Sequence, residues 1–175
     1  MEWEFSLLNW MQANVRTPWL DQVVPVFSAL WDWGVPWFLL AGGLILYKPT
    51  RKVGWCVLSG LLLELAVVSL GLKPLFQRAR PCDIYPEMLT LTSRPHTASF
   101  PSGHTAQAFA LSGALYTCRS KWFGPVCVLA VLLGLSRLYL YVHFPTDVLA
   151  GALIGWLCGW LGVSLCRKAQ KLQKD

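Results

Sequence analysis

Apolar residues run through this chain in long blocks separated by short polar or charged stretches. Val53 to Leu72, Thr105 to Thr117 with its flanks, Trp122 to Tyr141 and Val148 to Leu165 form four such blocks. A membrane span needs about 20 residues, so the Thr105–Thr117 block is expected to draw its first helical turn from Ser102-Gly103-His104 just before it. Lipid offers the backbone no hydrogen-bond partners, so the blocks are expected as α-helices packed into a bundle. Small residues at Ala106, Ala108, Ala110, Gly113 and Ala114, and again at Ala150, Gly151, Gly155 and Gly159, allow two of these helices to approach closely.

The first third of the chain has a different pattern. Trp3, Leu7, Leu8 and Met11 fall near helical spacing, with Glu2, Glu4, Gln12 and Asn14 between them, which predicts an amphipathic helix lying in the membrane interface. Pro18 ends or restarts it, and Leu20 to Trp33 is a second apolar segment that carries Asp21 and Asp32. Trp19, Trp31, Trp33 and Trp37 suit an aromatic belt at the lipid boundary. Leu20 to Tyr47 reads equally as one bent helix or as two pieces broken near Asp32-Trp33-Gly34. The expected fold is all-α: a polytopic membrane bundle of five to six helices with an N-terminal interfacial amphipathic helix. It is one domain over 1–175, with 1–34 interfacial or partly inserted, 35–166 the transmembrane core and 167–175 a basic tail.

Composition agrees. The chain is 55% hydrophobic, has ten tryptophans and carries only 14% charged residues, against about 25% in soluble domains. Mean hydropathy is +0.46 and the pI is near 9.1. A net charge of +6 could suit nucleic acid, but the basic residues lie in short clusters between apolar runs, so membrane lipids or an anionic lipid substrate are the expected partners, and nucleic acid is not. The six cysteines offer no C-x-x-C pair and no ligand spacing with histidine; all but Cys82 lie in or at the ends of apolar runs. No basic n-region or cleavage site marks the start as a removable signal.

Three basic clusters fall between blocks or after the last one: Lys48, Arg51 and Lys52; Arg119 and Lys121; and Arg167, Lys168, Lys171 and Lys174. Alternating helices put all three on one side, which the positive-inside rule makes the cytoplasm, C-terminus included.

The other side receives the chemistry. Phe100-Pro101-Ser102-Gly103-His104-Thr105 lies between a polar loop and an apolar helix, so backbone N–H groups and the positive helix end are presented there to an anion. Ser102 adds a hydroxyl, Gly103 admits a ligand to the backbone, and His104 carries a transferable proton. Lys73 is followed after six residues by Arg80-Pro81, and Ser136-Arg137 after five by His143 and after three more by Asp147. If the last helix starts near His143, that histidine and Asp147 share a face and can hydrogen-bond. Glu64 stands mid-helix in an apolar run, and Arg78, Arg94 and His96 lie in the polar loop. Arg78 reads as a solvated residue or as a contact for a second phosphate, while Arg94 and His96 read as loop positions or as a gate for a headgroup.

With these residues in place, the sequence resembles the type 2 phosphatidic acid phosphatase family, whose motifs read K-x6-R-P, P-S-G-H and S-R-x5-H-x3-D. The resemblance spans Lys73 to Asp147, all three motifs being complete and in order. It implies a metal-independent membrane lipid phosphatase without cofactor. In it His143 would attack phosphorus to form a phosphohistidine, Asp147 would orient His143, and His104 would protonate the leaving oxygen and later activate water. Lys73, Arg80, Arg137, Ser102 and Gly103 would hold the phosphate. Among bacterial members the chain is similar to enzymes acting on undecaprenyl pyrophosphate; phosphatidylglycerophosphate, phosphatidic acid and lipid A 1-phosphate are the alternatives. A non-catalytic lipid-phosphate-binding membrane protein is the reading from another class. The related vanadium haloperoxidases share the pocket pattern but, as soluble enzymes, would not carry these apolar runs.

Overall fold

A computed structural model describes residues 2–88 and 90–172; Lys174, expected in the basic tail, lies outside them. Every regular element among these residues is helical. Helix α1 spans Glu2–Asn14, α2 Pro18–Ala29, α3 Val35–Leu46 and α4 Arg51–Glu64, which continues through a π-helical stretch, Leu65–Leu72, into α5, Lys73–Phe76. A short α6, Pro81–Ile84, interrupts the long loop, followed by α7 Gly103–Thr117, α8 Phe123–Tyr139 and α9 Pro145–Leu172. Three stretches are long and apolar enough to cross a membrane: Pro18–Leu46, Lys48–Ile84 and Pro145–Lys171, while Phe123–Tyr139 is apolar but shorter. The chain is an integral membrane protein.

Helix α7 is the axis of the bundle. Ten of its fifteen residues are buried, so it can be short: its surroundings are protein. It packs most extensively on α9, then on α8 and α4. The reason is legible in α9, where two rows of residues repeat every four positions. A Cβ on Gly155 or Gly159 would overlap the carbonyl oxygens of Ala106 and Ala110 in α7, so these glycines let two backbones touch. Leu149, Leu153, Leu157, Leu161 and Leu165 form the opposite row and are all exposed to the surroundings, as lipid-facing positions should be.

Between α2 and α3 the chain breaks at Asp32–Gly34, where Trp33 and Gly34 take φ of 61° and 70°. Leu20 to Tyr47 is therefore two helices joined by a left-handed turn. Pro18 occupies the first turn of α2, and the Thr17 hydroxyl accepts from Leu20 N–H, so it restarts the helix instead of merely ending the previous one.

The apolar positions of α1 divide in two. Leu8 and Met11 pack with Phe5 against Tyr139–Phe144, whereas Trp3, Leu7 and Trp10 remain exposed. Glu4, expected on a solvated face, is buried. Cys82, which the sequence places in a polar loop, is fully buried in the same cluster.

Candidate active site

Four helix ends meet at one end of the bundle. The α4–α5 run supplies Lys73 one turn before it stops at Gln77, whose φ is 44°, so the helix runs on past the Leu72 end of its apolar block. Helix α7 starts at Gly103 with Ser102 as its N-cap residue. Arg137 is in the last turn of α8 and Asp147 in the first turn of α9. The joins between them are tight: Ser102 N–H donates to the Asp147 carbonyl at 3.0 Å, and a Cβ on Gly103 would stand 3.7 Å from Lys73 Cε.

His143 lies in the α8–α9 loop, two residues before α9 begins at Pro145. That corrects the expectation of a shared helical face with Asp147. The separation from His143 Nδ1 to Asp147 Oδ2 is 3.6 Å, an ion-pair distance, and Ser99 stands between them. Ser99 Oγ donates to Asp147 Oδ2 at 2.5 Å and lies 3.5 Å from His143 Nδ1. Asp147 Oδ2 also accepts the Phe144 N–H at 2.8 Å, closing the first turn of α9.

On the other side of the imidazole, Arg80 Nη1 is 3.1 Å from Nε2. A guanidinium can only donate. Nε2 is therefore the unprotonated nitrogen and the ring proton sits on Nδ1, facing Ser99 and Asp147. Arg80 is itself immobilised, donating to the carbonyls of Val142 (2.9 Å), Thr97 (2.8 Å) and Ala98 (3.3 Å). Burial pushes the His143 imidazole well below its ordinary pKa; hydrogen bonding to Asp147 opposes this, while the cations Arg80, Arg137 and Lys73 reinforce it. The ring is neutral at neutral pH, with a lone pair on a defined nitrogen.

Lys73 Nζ donates to Ala98 O at 2.8 Å. Arg137 is buried, with one Nη donating to Ser28 Oγ and with Nε unpartnered among the described residues. His104 Nε2 lies 2.8 Å from Asp32 Oδ1, and the positive charges of Arg137 and Lys73 act on it. All eight residues singled out from the sequence, His143, His104, Asp147, Lys73, Arg80, Ser102, Gly103 and Arg137, thus gather at one end of the bundle.

The sequence missed several polar neighbours. Arg78 is held in place instead of standing free in solvent: it donates to Asp147 Oδ1 at 2.6 Å, Thr146 Oγ1 at 2.7 Å and Glu4 Oε2 at 2.8 Å, with its guanidinium 4.1 Å over the Phe144 ring. Thr146 Oγ1 in turn donates to Glu4 Oε1 at 2.5 Å. Glu4 ties α1 to the start of α9 across 142 residues of sequence, a pairing without any local signal. Arg94 and His96 line an open hollow of about 570 Å³ beside the site, shared with Arg78, Asp83 and Thr97. Glu64 is fully buried, both carboxyl oxygens unpartnered by hydrogen bonds among the described residues.

The pattern of the PAP2 superfamily matches residues 53–171. Among curated relatives, the undecaprenyl-diphosphatase of Sulfolobus acidocaldarius is 28% identical over 92% of this chain and 76% of its own length. The phosphatidylglycerophosphatase B of Bacillus subtilis is 30% identical over 91% of this chain and 82% of its own length. The crystal structure of Aquifex aeolicus LpxE superposes with a TM-score of 0.79 at 30% identity, covering 91% of this chain and 94% of that one.

Proposed function

The chain belongs to the PAP2 superfamily of membrane phosphatases, and from that premise and the site geometry we propose that it hydrolyses a lipid phosphate through a phosphohistidine on His143, with undecaprenyl pyrophosphate as substrate. The observation that carries the mechanism is the pinned imidazole: Arg80 fixes the lone pair on Nε2, while Ser99 and Asp147 hold the proton on Nδ1. A pure phosphate binder has no use for such a nucleophile.

In the first step Nε2 bonds to phosphorus as the bond to the leaving oxygen breaks, and His104 gives that oxygen a proton. Asp147 balances the positive charge that develops on His143. In the second step water attacks the phosphohistidine, His104 takes its proton, and Nε2 is released with inorganic phosphate. Lys73, Arg80, Arg137, Ser102 and the Gly103 N–H serve the non-bridging oxygens, since a loose phosphoryl transition state needs positioned positive donors above all. The described residues hold no cluster of ligands for a metal ion, and the proposed steps route no charge through one.

The substrate choice draws on the site's surroundings. Arg94 and His96 line the hollow next to the phosphate seat, which suits a second phosphate of a diphosphate headgroup. The described residues of the three basic clusters lie at the far end of the bundle, where Arg167 donates to Thr117 O at 3.1 Å. By the positive-inside rule that end is cytoplasmic and the site opens on the extracytoplasmic face. Phosphate release in detergent from undecaprenyl pyrophosphate, phosphatidylglycerophosphate, phosphatidic acid and lipid A, compared by kcat/KM with His143→Ala as control, tests both parts. A preference for the prenyl diphosphate is expected. A higher kcat/KM on a monophosphate would move the assignment to that lipid, and release undiminished in His143→Ala would end the mechanism.

A further inference from the structure

Asp32 comes from the turn between α2 and α3, outside the residues 53–171 that the family pattern matches. Yet it reaches a motif residue 72 positions away: its Oδ1 is 2.8 Å from His104 Nε2. The turn is built to hold it there. Trp33 and Gly34 both take left-handed φ, and Gly34 sits so close to the Gln107 side chain of α7 that a Cβ there would push the Gln107 amide aside. On either side of the turn Trp31 stacks on Trp37, with ring centroids 4.1 Å apart. Gln107 is three residues after His104, so the turn is seated one helical turn along α7 from the histidine it serves.

The charges around His104 give Asp32 a task. Burial first, and then the charges of Arg137 from α8 and Lys73 from α5, disfavour a second proton on the imidazole; Asp32 is the anion that opposes them. A carboxylate can only accept, so Nε2 carries a hydrogen. Nδ1 makes no hydrogen bond among the described residues and is free to bear the second proton. The pair is also at the rim, with His104 18% and Asp32 49% exposed, so water can reload it.

We propose that Asp32 is a positioning residue for the reaction: it holds the His104 ring by Nε2–H and favours the imidazolium whose Nδ1–H protonates the leaving oxygen. The inference rests on the reading of His104 as the proton donor. The proton moves from Nδ1 to the bridging oxygen as the P–O bond breaks and the His143 Nε2–P bond forms. It is replaced from water when the phosphohistidine is hydrolysed.

The test compares leaving groups. A decyl phosphate leaves as an alkoxide and needs the proton; a decyl-substituted nitrophenyl phosphate leaves unaided. For Asp32→Asn, kcat/KM on the alkyl ester should fall about 30-fold and its basic limb move down by about one pH unit, with less than about 3-fold loss on the aryl ester. Asp32→Ser is a second charge-free variant judged by the same contrast, and Asp32→Glu should recover most of the rate. The chain has three histidines, so imidazole titration by NMR gives a readout independent of turnover: the His104 midpoint should drop in Asp32→Asn. Equal losses on both esters, or an unchanged His104 midpoint, would overturn the proposal. His104→Ala separates the two layers of the argument. If it shows the leaving-group contrast and the Asp32 variants do not, only the Asp32 proposal fails; if it shows none, the reading of His104 fails first.

Discussion

The two motif histidines sit in opposite environments. His143 is 2% exposed, with partners on both ring nitrogens, and its acidic neighbour Asp147 is fully buried; His104 is 18% exposed, has one hydrogen-bond partner among the described residues, and that partner is half open to solvent. The contrast matches two different tasks. A group that must present a lone pair gains from fixed orientation and exclusion of water, while a group that must lose and regain protons needs contact with water. In the proposed mechanism both serve one phosphate, and the charges of Lys73 and Arg137 act on each of them.

The strongest way to break that comparison is to remove each ring. His143→Ala is expected to lower kcat/KM about a thousandfold or more on every substrate, whatever its leaving group. A loss that shrinks with a better leaving group would reverse the two assignments. Next in size is Arg78→Gln. It frees Asp147 Oδ1 and leaves Glu4 buried without its cation, so kcat should fall about 30-fold with KM nearly unchanged. A rise in KM with kcat preserved would instead make Arg78 a substrate contact. Ser99→Ala removes the bridge between Nδ1 and Asp147 and should cost about 10-fold in kcat, measured on the same ester.

The pH profile sharpens the comparison further. Burial depresses the His143 pKa, so the ring stays neutral as pH falls, and the acid limb of kcat/KM, corrected for substrate ionisation, should lie below about 6.5. Asp147→Asn removes the group that raises this pKa, so the limb should move further down while the rate drops; Arg80→Gln removes a cation that lowers it, so the limb should move up. A limb at or above the ordinary imidazole value in the unaltered protein would contradict the buried, neutral ring. Smallest of all are two outcomes away from the imidazoles. Chelation with EDTA should leave kcat unchanged, and Glu64→Leu should keep kcat/KM while raising Tm by a few degrees, because a buried unpartnered carboxyl costs about 1–3 kcal/mol.

The helices and the small-residue row of α9 are readable from sequence because both repeat: a run of apolar residues has a length, and Gly151, Gly155 and Gly159 have a period. The motif residues are readable because their spacings are fixed. What could not be read are polar partners without either property. Glu4, Asp32 and Ser99 are single residues whose importance comes from tertiary contacts across 142, 72 and 48 positions. Arg78 was misjudged for the same reason: nothing local distinguishes a solvated arginine from one clamped between two carboxylates. The His143–Asp147 contact was expected by i,i+4 geometry, but Pro145 starts the helix two residues late, and a serine from another loop fills the gap.

The most direct measurement is trapping of the phosphoenzyme. With a nitrophenyl phosphate ester labelled in the phosphoryl group, His104→Ala can still be phosphorylated but lacks the group that activates water. A rapid quench should therefore show acid-labile, alkali-stable label accumulating on the peptide that contains His143, and none when His143→Ala is added. Label elsewhere in the chain, or turnover at the same rate with no phosphoenzyme at any time, would contradict a phosphohistidine on His143.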